Sequence, residues 1–447
     1  MSGYLLKAPR VRVGLALLDG VLVALAVWLA FAVRFSPGIR AARLAQLLDR
    51  PGFVALGIAT LWAVAVAAEL YEPAVIRRRL DLLIRVALAA VGWGGTLILA
   101  TYLVPAWRFG RGLLLISATS WSLGAVLLRI VAARWLATRP RPRALVVGGA
   151  EATAAICESL ARHPLAPWQG ENGSGIPPTR VADEAVKRGA ELVVLVGTEE
   201  MRTLLGDLAT LQFSGIQVVA ASEMWAWLDG RLPVAEMSPE AFLHQPGFGA
   251  IHWETFNRVT RVLDIVLGAA MAIVAIPVVL AAGLLILVVN GRPVIYGQER
   301  LGQYGRRFTI LKLRTMRRDA EENGPAFASD DDVRVTRLGR VLRRFRLDEL
   351  PQLFNVLRGE MSLVGPRPER PEFIAELARE IPYYTFRLAL PPGLTGWSQI
   401  NMPYARSIEE HRRKLEYDLY FIRERSLLLY TITLLRTVSA ALLGTHR

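Results

Sequence analysis

The chain has 447 residues, 53% of them hydrophobic, and a formal net charge of +14. This length allows two or three domains, and the hydrophobic content exceeds that of an ordinary water-soluble chain. The positive charge is typical of nucleic-acid binders, but anionic lipid headgroups and phosphate substrates explain it better in a chain with membrane segments. We therefore expect no nucleic-acid partner, and the single cysteine excludes a disulfide framework.

Four apolar runs near the N-terminus are long enough to cross a bilayer. They cover residues 11–35, 53–70, 82–104 and 113–136. Basic residues are more frequent in the loops on the N-terminal side, which predicts a four-helix transmembrane domain over residues 1–140 with both ends in the cytoplasm. No small-residue cleavage site follows the first run, so we expect it to be an anchor.

One acid, Asp19, lies inside the first apolar run. A charge at membrane depth is costly and often functional. Asp19 is only about two helical turns from the cytoplasmic end of the run. We expect a structural role, in which the side chain snorkels to the interface or pairs with a residue of another helix.

Residues 141–250 change to alternating strand and helix patterns, typical of a Rossmann-like α/β auxiliary domain with a small parallel sheet. A helix is predicted over 199–211 and a flexible loop over 170–175. A dinucleotide fingerprint would need glycines where the chain has Ala150 and Thr153, so we favour a structural or regulatory role. The predicted strands cover residues 144–147, 191–196 and 216–220.

A fifth apolar stretch covers residues 262–289, with Pro277 in its middle, inside a C-terminal domain over 251–447. A straight helix of this length would reach about 42 Å, more than the roughly 30 Å hydrocarbon core. Proline kinks a helix, and a fifth crossing would place the domain outside the cytoplasm. We expect a re-entrant helix that enters and leaves on the cytoplasmic face, with a straight span as the alternative.

Two adjacent carboxylates, Asp348 and Glu349, lie among many cations in the C-terminal domain. Pro351 suits the first turn of a helix, so Asp348 is predicted at or just before a helix N-terminus. The helix dipole and nearby arginines favour its ionised form. Such a carboxylate can serve as a nucleophile towards phosphorus or as a metal ligand, although an isolated pair of this kind is more often a helix cap beside a surface acid.

Arginines precede this pair at spacings of three, which predicts that Arg334, Arg337, Arg340 and Arg343 share one helical face. A stripe of arginines without acids indicates a diphosphate substrate, a lipid phosphate or the headgroup layer. Arg343 is the best candidate for contacting the reacting phosphates, because it lies only five residues before the Asp–Glu pair.

Three further cations are candidates for binding substrate. Arg367 lies between two prolines, and such rigid placement suits a phosphate clamp. Lys312 and Arg314 alternate with leucines in a strand-like pattern, so both are predicted to point to one face. That face can line the same pocket or be a plain solvated strand face, and both interpretations remain open.

Seven short motifs follow one another in the last 190 or so residues of the chain. They are RVLD at 261–264, QERLG at 298–302, LKLRTM at 311–316, RLGR at 337–340, LDELPQ at 347–352, VGPRP at 364–368 and PGLTGW at 392–397. In this order they resemble the catalytic domain of the bacterial polyprenyl-phosphate phosphoglycosyl transferases, the monotopic bacterial sugar transferase family.

The resemblance implies a mostly α catalytic domain and a two-step reaction. Asp348 would attack the β-phosphate of a UDP-sugar, release UMP and form a covalent phosphosugar-aspartyl intermediate, which undecaprenyl phosphate would then resolve. Mg²⁺ would be required, with Glu349 as its main protein ligand and Asp348 close by. The family's re-entrant helix breaks at a Ser-Pro pair, which is Ile276-Pro277 here.

The resemblance also implies a nucleotide-side loop at 392–397, with Trp397 able to stack and Gln399 able to hydrogen-bond. Relatives often continue with Asn-Gly-Arg, whereas this chain has Asn401-Met402-Pro403. The expected enzyme is an undecaprenyl-phosphate hexose-1-phosphate transferase of the bacterial inner membrane, in the first membrane step of exopolysaccharide, capsule or O-antigen synthesis. Long family members suggest a homodimer, and the sugar remains open.

Two other functions are weighed against this one. The first is a non-enzymatic scaffold of a polysaccharide assembly complex, which the intact Asp–Glu pair and Pro-Arg-Pro loop disfavour. The second is a membrane-anchored oxidoreductase that modifies nucleotide sugars with the α/β domain, which the altered glycine fingerprint disfavours.

Overall fold

The computed structural model describes most of the chain, in two compact units, Met1–Leu228 and Asp229–Arg447. The described residues are 9–71, 79–104, 107, 110–138, 141–162, 166, 168–197, 211, 213–237, 242, 247–248, 251–318, 320 and 333–443.

The first unit begins with five helices: α1 Pro9–Arg34, α2 Pro37–Leu48, α3 Pro51–Ala67, α4 Arg79–Leu103 and α5 Arg111–Ala137. Parts of α1, α4 and α5 are long and apolar enough to cross a membrane. The second predicted run forms α3, which has only 17 residues and reaches crossing length only together with α2, from which it is bent by 80°. Counting that pair, the predicted four apolar segments are all helical.

A buried ion pair joins α1 to α5. Arg129 Nη1 lies 3.1 Å from Asp19 Oδ1, and Nη2 lies 2.7 Å from Oδ2, in the bidentate geometry that strengthens such pairs. The Arg129 guanidinium also donates to the Leu70 and Ala125 carbonyls, each at 3.1 Å. Both charged side chains are fully buried, so the prediction of an interhelical partner for Asp19 is confirmed.

The unit continues with a four-stranded parallel sheet in the order β2-β1-β3-β4. Its strands are β1 Arg143–Val147, β2 Gln169–Asn172, β3 Ala190–Leu195 and β4 Gln217–Ala220, with helices α6 Ala150–Arg162, α7 Val181–Lys187 and α8 Ala221–Asp229. Three predicted strands are therefore confirmed as β1, β3 and β4. The helix predicted over 199–211 lies outside the described residues, except for its last one.

The predicted loop over residues 170–175 was partly wrong, because β2 takes up its first residues. This edge strand is polar, as edge strands often are, and its composition hid it. A Cβ at Gly170 would lie 3.1 Å from Leu160 of α6, so the glycine lets the strand pack close to that helix.

The second unit is mostly helical, with two small sheets. Strands β5 Ile295–Leu301 and β6 Arg307–Leu313 form an antiparallel hairpin, and β7 Ser362–Val364 pairs in parallel with β8 Gly393–Thr395. The helices are α9 Ile251–Asn290, α10 Arg337–Arg344, α11 Gln352–Arg358, α12 Pro371–Glu380, α13 Trp397–Asn401, α14 Ile408–Arg423 and α15 Leu427–Leu443.

Helix α9 is continuous for 40 residues, with Pro277 inside it, and residues 254–290 are a fourth segment long and apolar enough to cross a membrane. Its N-terminal part packs closely on α11. A Cβ placed on Gly268 would lie only 3.5 Å from the Val356 side chain. Near its other end Ile286 shares a buried cluster with Leu313 of β6. The remaining surface of α9 carries exposed large apolar side chains: Val262, Val266, Ile273, Val274, Leu280, Leu284 and Val288.

Asp264 attaches α9 to the strand that leads into the Pro-Arg-Pro loop. Its Oδ1 accepts hydrogen bonds from the Tyr430 hydroxyl at 2.6 Å, the Leu363 backbone N–H at 2.8 Å and the Ser362 hydroxyl at 3.1 Å. Because Asp264 is itself buried, these donors satisfy a carboxylate that would otherwise be costly to bury. The membrane helix and the loop at 364–368 are thus held in one geometry.

Candidate active site

Asp348 and Glu349 lie in a single 3₁₀ turn, Leu347–Glu349, directly before α11. The predicted position of Asp348 just before a helix N-terminus is therefore confirmed. Arg346 adopts a left-handed backbone conformation, with φ of +53°, which is uncommon for a residue other than glycine. This conformation turns the chain from α10 into the acidic pair.

Glu349 holds most of the positive charge at the site. Its Oε1 lies 2.7 Å from Arg367 Nη2 and 3.1 Å from Lys312 Nζ, and its Oε2 lies 3.8 Å from Arg346 Nη1. Burial alone would raise the pKa of this carboxyl, but the attraction of Arg367 and Lys312 outweighs burial and lowers it below the ordinary value. Glu349 is thus ionised and neutralised by its neighbours.

Asp348 has a different environment, although it is adjacent in sequence. Its side chain is 8% exposed, and in the described part of the chain it forms no ion pair. Burial and then the charge of Glu349 raise its pKa, while Lys312 and Arg343 act in the opposite direction. Arg343 lowers the pKa of Asp348, as expected of a nearby arginine, but burial and the charge of Glu349 outweigh the cations, so the net shift is upward.

Arg367 is held on several sides between its two prolines. Its guanidinium pairs with Glu349 and lies 5.2 Å from the centre of the Tyr404 ring, and its backbone carbonyl accepts a hydrogen bond from Arg387 Nη2 at 3.1 Å. Burial would lower the pKa of Arg367, but Glu349 raises it above the ordinary value. The guanidinium is therefore rigid and permanently charged, as a phosphate clamp requires.

A buried charged network behind Arg367 was missed at the sequence level. Arg387 Nη2 lies 2.8 Å from Asp418 Oδ2, and Ser398 Oγ donates to Asp418 Oδ1 at 2.8 Å. Glu369 pairs with Lys414; burial would raise the pKa of Glu369, but the attraction of Lys414 and then Arg387 lowers it to about 2. The available signal was the i, i+4 spacing of Lys414 and Asp418 on α14.

The arginine stripe is shorter than predicted. Helix α10 begins at Arg337, because the Thr336 side chain caps it by accepting from the Gly339 N–H, so placing Arg334 on the same helical face was wrong. Arg343 is only partly exposed, and its Nε donates to Thr315 Oγ1 at 2.9 Å. Arg337 and Arg340 are exposed, so Arg343 is the member of the stripe that lies towards the acidic pair.

Lys312 and Arg314 serve different elements. Lys312 reaches Glu349, as described above. The buried Arg314 instead donates to the carbonyls that follow the end of α9, those of Asn290 at 2.6 Å, Gly291 at 2.7 Å and Arg292 at 2.9 Å. It thereby caps the C-terminus of the membrane helix, and a substrate contact for Arg314 stays a prediction that this arrangement does not favour.

Trp397 is buried between protein groups. Its Nε1 donates to the Gly230 carbonyl at 2.8 Å, its ring stacks on Tyr420 with centroids 5.8 Å apart, and Arg436 lies 5.2 Å from the ring centre. Gln399 Nε2 donates to the Leu394 carbonyl at 3.4 Å. Both residues are thus used within the fold, and their contacts with a nucleotide stay predictions.

The acidic pair fits a magnesium ion that is shared with substrate. In the part of the chain that the structure describes, no group of three or more His, Cys, Asp or Glu residues could hold a metal by itself. Mg²⁺ commonly binds one or two carboxylates together with substrate phosphates and water. Glu349 Oε1 is taken by two cations, so Glu349 Oε2 and the Asp348 carboxylate are the oxygens that fit.

Comparison with known proteins shows which family the second unit matches. The model of the "Bacterial sugar transferase" family matches residues 255–444. The chain is 41% identical over 239 residues to the UDP-N-acetylgalactosamine-undecaprenyl-phosphate N-acetylgalactosaminephosphotransferase of Aeromonas hydrophila, a match that covers 53% of this chain and 55% of that one.

Two further relatives are named UDP-glucose:undecaprenyl-phosphate glucose-1-phosphate transferase. The one from Caulobacter vibrioides is 42% identical over 186 residues, which cover 41% of this chain and 69% of the relative. The one from Escherichia coli strain K12 is 38% identical over 168 residues, which cover 37% and 36%.

Four helices in the described part of the chain are long and apolar enough to cross a membrane, which fits a membrane protein. The chain belongs to the bacterial sugar transferase family, as the seven motifs predicted. It spans only about half the length of the Aeromonas relative, and the part that matches the family model contains the acidic pair, Arg343 and Arg367.

Proposed function

We propose that this protein transfers a sugar-1-phosphate from a UDP-sugar to undecaprenyl phosphate and releases UMP. The observation that carries the proposal is the contrast between two adjacent acids. Asp348 is buried and has no ion pair among the described residues, whereas Glu349 holds Arg367 and Lys312. One carboxylate is left to react and the other positions cations around it.

In the first step an Asp348 oxygen attacks the β-phosphorus of the UDP-sugar. The bond from that phosphorus to the bridging oxygen breaks, UMP leaves, and an aspartyl phosphosugar forms. In the second step an oxygen of the lipid phosphate attacks the same phosphorus and the bond to Asp348 breaks. The products are an undecaprenyl diphosphate sugar and the regenerated carboxylate.

Burial of Asp348 supports its role as the nucleophile. A carboxylate in contact with cations is a weaker nucleophile, because the ion pair stabilises the charge that attack would consume. Pairing the cations with Glu349 avoids this loss and still supplies positive charge beside the phosphates. Bound Mg²⁺ would screen the charge of the diphosphate, with Glu349 as its main protein ligand and Asp348 close by.

We propose that α9 is re-entrant and keeps the catalytic unit on the cytoplasmic face of the inner membrane. The N-terminal part of α9 packs on α11 and its C-terminal part on β6, and both belong to the same unit. A helix that crossed the membrane would have its two ends about 30 Å apart on opposite faces. Contacts of both ends with one body support a helix that enters and leaves on one side.

The same proposal covers, in less detail, the sugar, the pathway and the oligomeric state. The relatives are named for N-acetylgalactosamine and for glucose, so we propose a hexose or N-acetylhexosamine phosphate as the group transferred. Transfer to undecaprenyl phosphate suits the first membrane step of a surface polysaccharide. A homodimer is expected from the long members of the family.

The test is release of UMP from a panel of UDP-sugars, with the full-length protein, Mg²⁺ and undecaprenyl phosphate. We expect one or a few sugars to yield UMP, turnover to require the lipid, and EDTA to stop it. Asp348→Asn should abolish UMP formation. Full activity of Asp348→Asn would exclude Asp348 as the nucleophile, and a folded protein that yields no UMP from any sugar would favour a scaffold.

A further inference from the structure

Gln352, the first residue of α11, has a buried amide that the fold does not use. Its side chain is 3% exposed, and its Nε2 has no hydrogen-bond partner in the part of the chain that the structure describes. A buried donor of this kind lowers the stability of the folded state when it is left unpaired. Such groups are rare in native proteins and call for a physical explanation.

Asn355, on the same helix, shows how the fold treats an amide with a structural role. Its Nδ2 donates to the Thr309 carbonyl at 2.8 Å and to Glu360 Oε2 at 2.6 Å, and its Oδ1 accepts from the Leu311 N–H at 3.1 Å. This amide links α11 to β6 with every group engaged. Burial in this region therefore does not by itself leave an amide unpaired.

The unpaired amide belongs to a residue close to Asp348 in sequence. The two residues are four apart, both side chains are buried, and Leu350 and Pro351 between them have right-handed helical backbone angles. Gln352 is the first residue of the helix that the 3₁₀ turn with Asp348 directly precedes. The unpaired amide thus belongs to the same short segment of chain as the carboxylate at which phosphoryl transfer is proposed.

The charged donors beside Asp348 already have partners. Arg367 and Lys312 pair with Glu349, and Arg343 donates to Thr315. A phosphoryl group bound at Asp348 has several oxygens that need donors. A neutral amide can supply one without pairing with the carboxylate as a cation would.

We propose that the Gln352 side-chain amide donates a hydrogen bond to a phosphoryl oxygen of a substrate bound at Asp348, which makes Gln352 a further catalytic residue. This inference rests on the proposed function. The oxygen belongs either to the β-phosphate of the nucleotide sugar or to the phosphate of the lipid acceptor, which have the same chemistry at this atom. Loss of one such donor typically lowers a rate by about 100-fold or more.

The test compares Gln352→Met with Asn355→Leu in the full-length protein. Methionine keeps the length of the side chain and removes the unpaired donor, so Tm should stay the same or rise, while UMP formation falls by about 100-fold. Asn355→Leu should instead lower Tm, because it leaves backbone groups of β6 without partners. A Gln352→Met protein with wild-type rates in both steps would overturn the proposal.

Two measurements separate the sources of the oxygen. A burst of UMP without lipid reports the first step, and turnover with undecaprenyl phosphate reports both steps. If the burst itself is slow, the partner is the phosphate of the nucleotide sugar. If the burst is normal and turnover is slow, the partner is the lipid phosphate.

A binding measurement keeps this test independent of the proposed reaction. UDP should raise the Tm of the wild-type protein, because it binds the folded state, and the rise should be smaller in Gln352→Met. If no UDP-sugar yields UMP but this difference is seen, the proposed reaction fails and the phosphoryl contact stands. Equal rises in both proteins, together with equal rates wherever turnover is measurable, would exclude the contact.

Discussion

At the scale of single residues, the site depends on the unequal environments of two adjacent acids. Burial and a like charge raise the pKa of Asp348, whereas Arg367 and Lys312 lower that of Glu349 despite its burial. Opposite shifts of neighbouring carboxyls are common where their chemical roles differ. The pair therefore combines one acid that can react with one that holds the cations.

Asp348→Asn should abolish UMP formation and at the same time stabilise the protein at neutral pH. A raised pKa means that the folded state binds the proton more tightly than the unfolded state does, so stability falls as the pH rises through the folded pKa. Asparagine does not ionise, so the Asp348→Asn protein does not lose this stability. Thermal unfolding should show a higher Tm than wild type at pH 8, with the difference vanishing at acidic pH.

The matched control is Asp418→Asn, which changes a buried acid with a structural role. It removes the nearest negative charge from the buried Arg387, and breaking a buried ion pair typically costs about 3–5 kcal/mol. Its Tm should fall at pH 8. A lower Tm for Asp348→Asn as well would contradict the environment described for Asp348.

Arg343→Met should move the acid side of the pH–rate profile to higher pH. The positive charge of Arg343 lowers the pKa of Asp348, so its removal makes the carboxylate harder to ionise. The UMP burst should then fall more at pH 6 than at pH 9. Arg344→Met removes an equal charge from an exposed neighbour, and a similar shift in that control would refute a specific effect.

At the scale of elements, a few polar side chains join the membrane helices to the elements they contact. Arg129 on α5 holds Asp19 on α1 and the Leu70 carbonyl beyond α3, and Asp264 on α9 holds β7 and α15. Apolar packing alone gives little preference for one helix register, because lipid is as apolar as the side chains. These polar contacts therefore specify which helices meet.

Arg129→Met should destabilise the first unit by about 3–5 kcal/mol, because it leaves Asp19 buried and unpaired. The double variant, with Asp19→Leu added, should recover most of the lost stability, since neither charge of the pair then remains buried. Thermal unfolding of the three variants in detergent measures the coupling. Additive losses in the double variant would show that the ion pair has no energetic role.

At the scale of the whole molecule, the position of the catalytic unit depends on the topology of α9. The wild-type chain contains one cysteine, Cys157, so a Cys157→Ala background allows single cysteines to be placed at will. Exposed Arg258 precedes the apolar stretch of α9 and exposed Arg292 follows it. These two positions report the faces on which the helix begins and ends.

Arg258→Cys and Arg292→Cys should react with a membrane-impermeant maleimide from the same side of sealed vesicles. A re-entrant helix requires this result, and a spanning helix predicts reaction from opposite sides. Ile273→Cys is the control for burial in lipid, because its side chain is 72% exposed on the protein and should still be protected. Opposite accessibility of the two ends would refute the re-entrant topology.

Local sequence signals determined much of this protein. The apolar runs predicted the membrane helices, the strand pattern predicted β1, β3 and β4, and Pro351 predicted that Asp348 lies just before α11. These features depend on residues within about one or two turns or on the period of a single element. The motif order likewise predicted the family.

Only the tertiary structure decided which charges meet. Asp19 and Arg129 pair across 110 residues of sequence, Arg314 caps α9, and Lys312 and Arg367 bind Glu349. The strength of an ion pair depends on distance in space and on burial, since a low dielectric strengthens it. Neither quantity can be read from spacing along the chain, so the sequence identified the two adjacent acids and the fold assigned different environments to them.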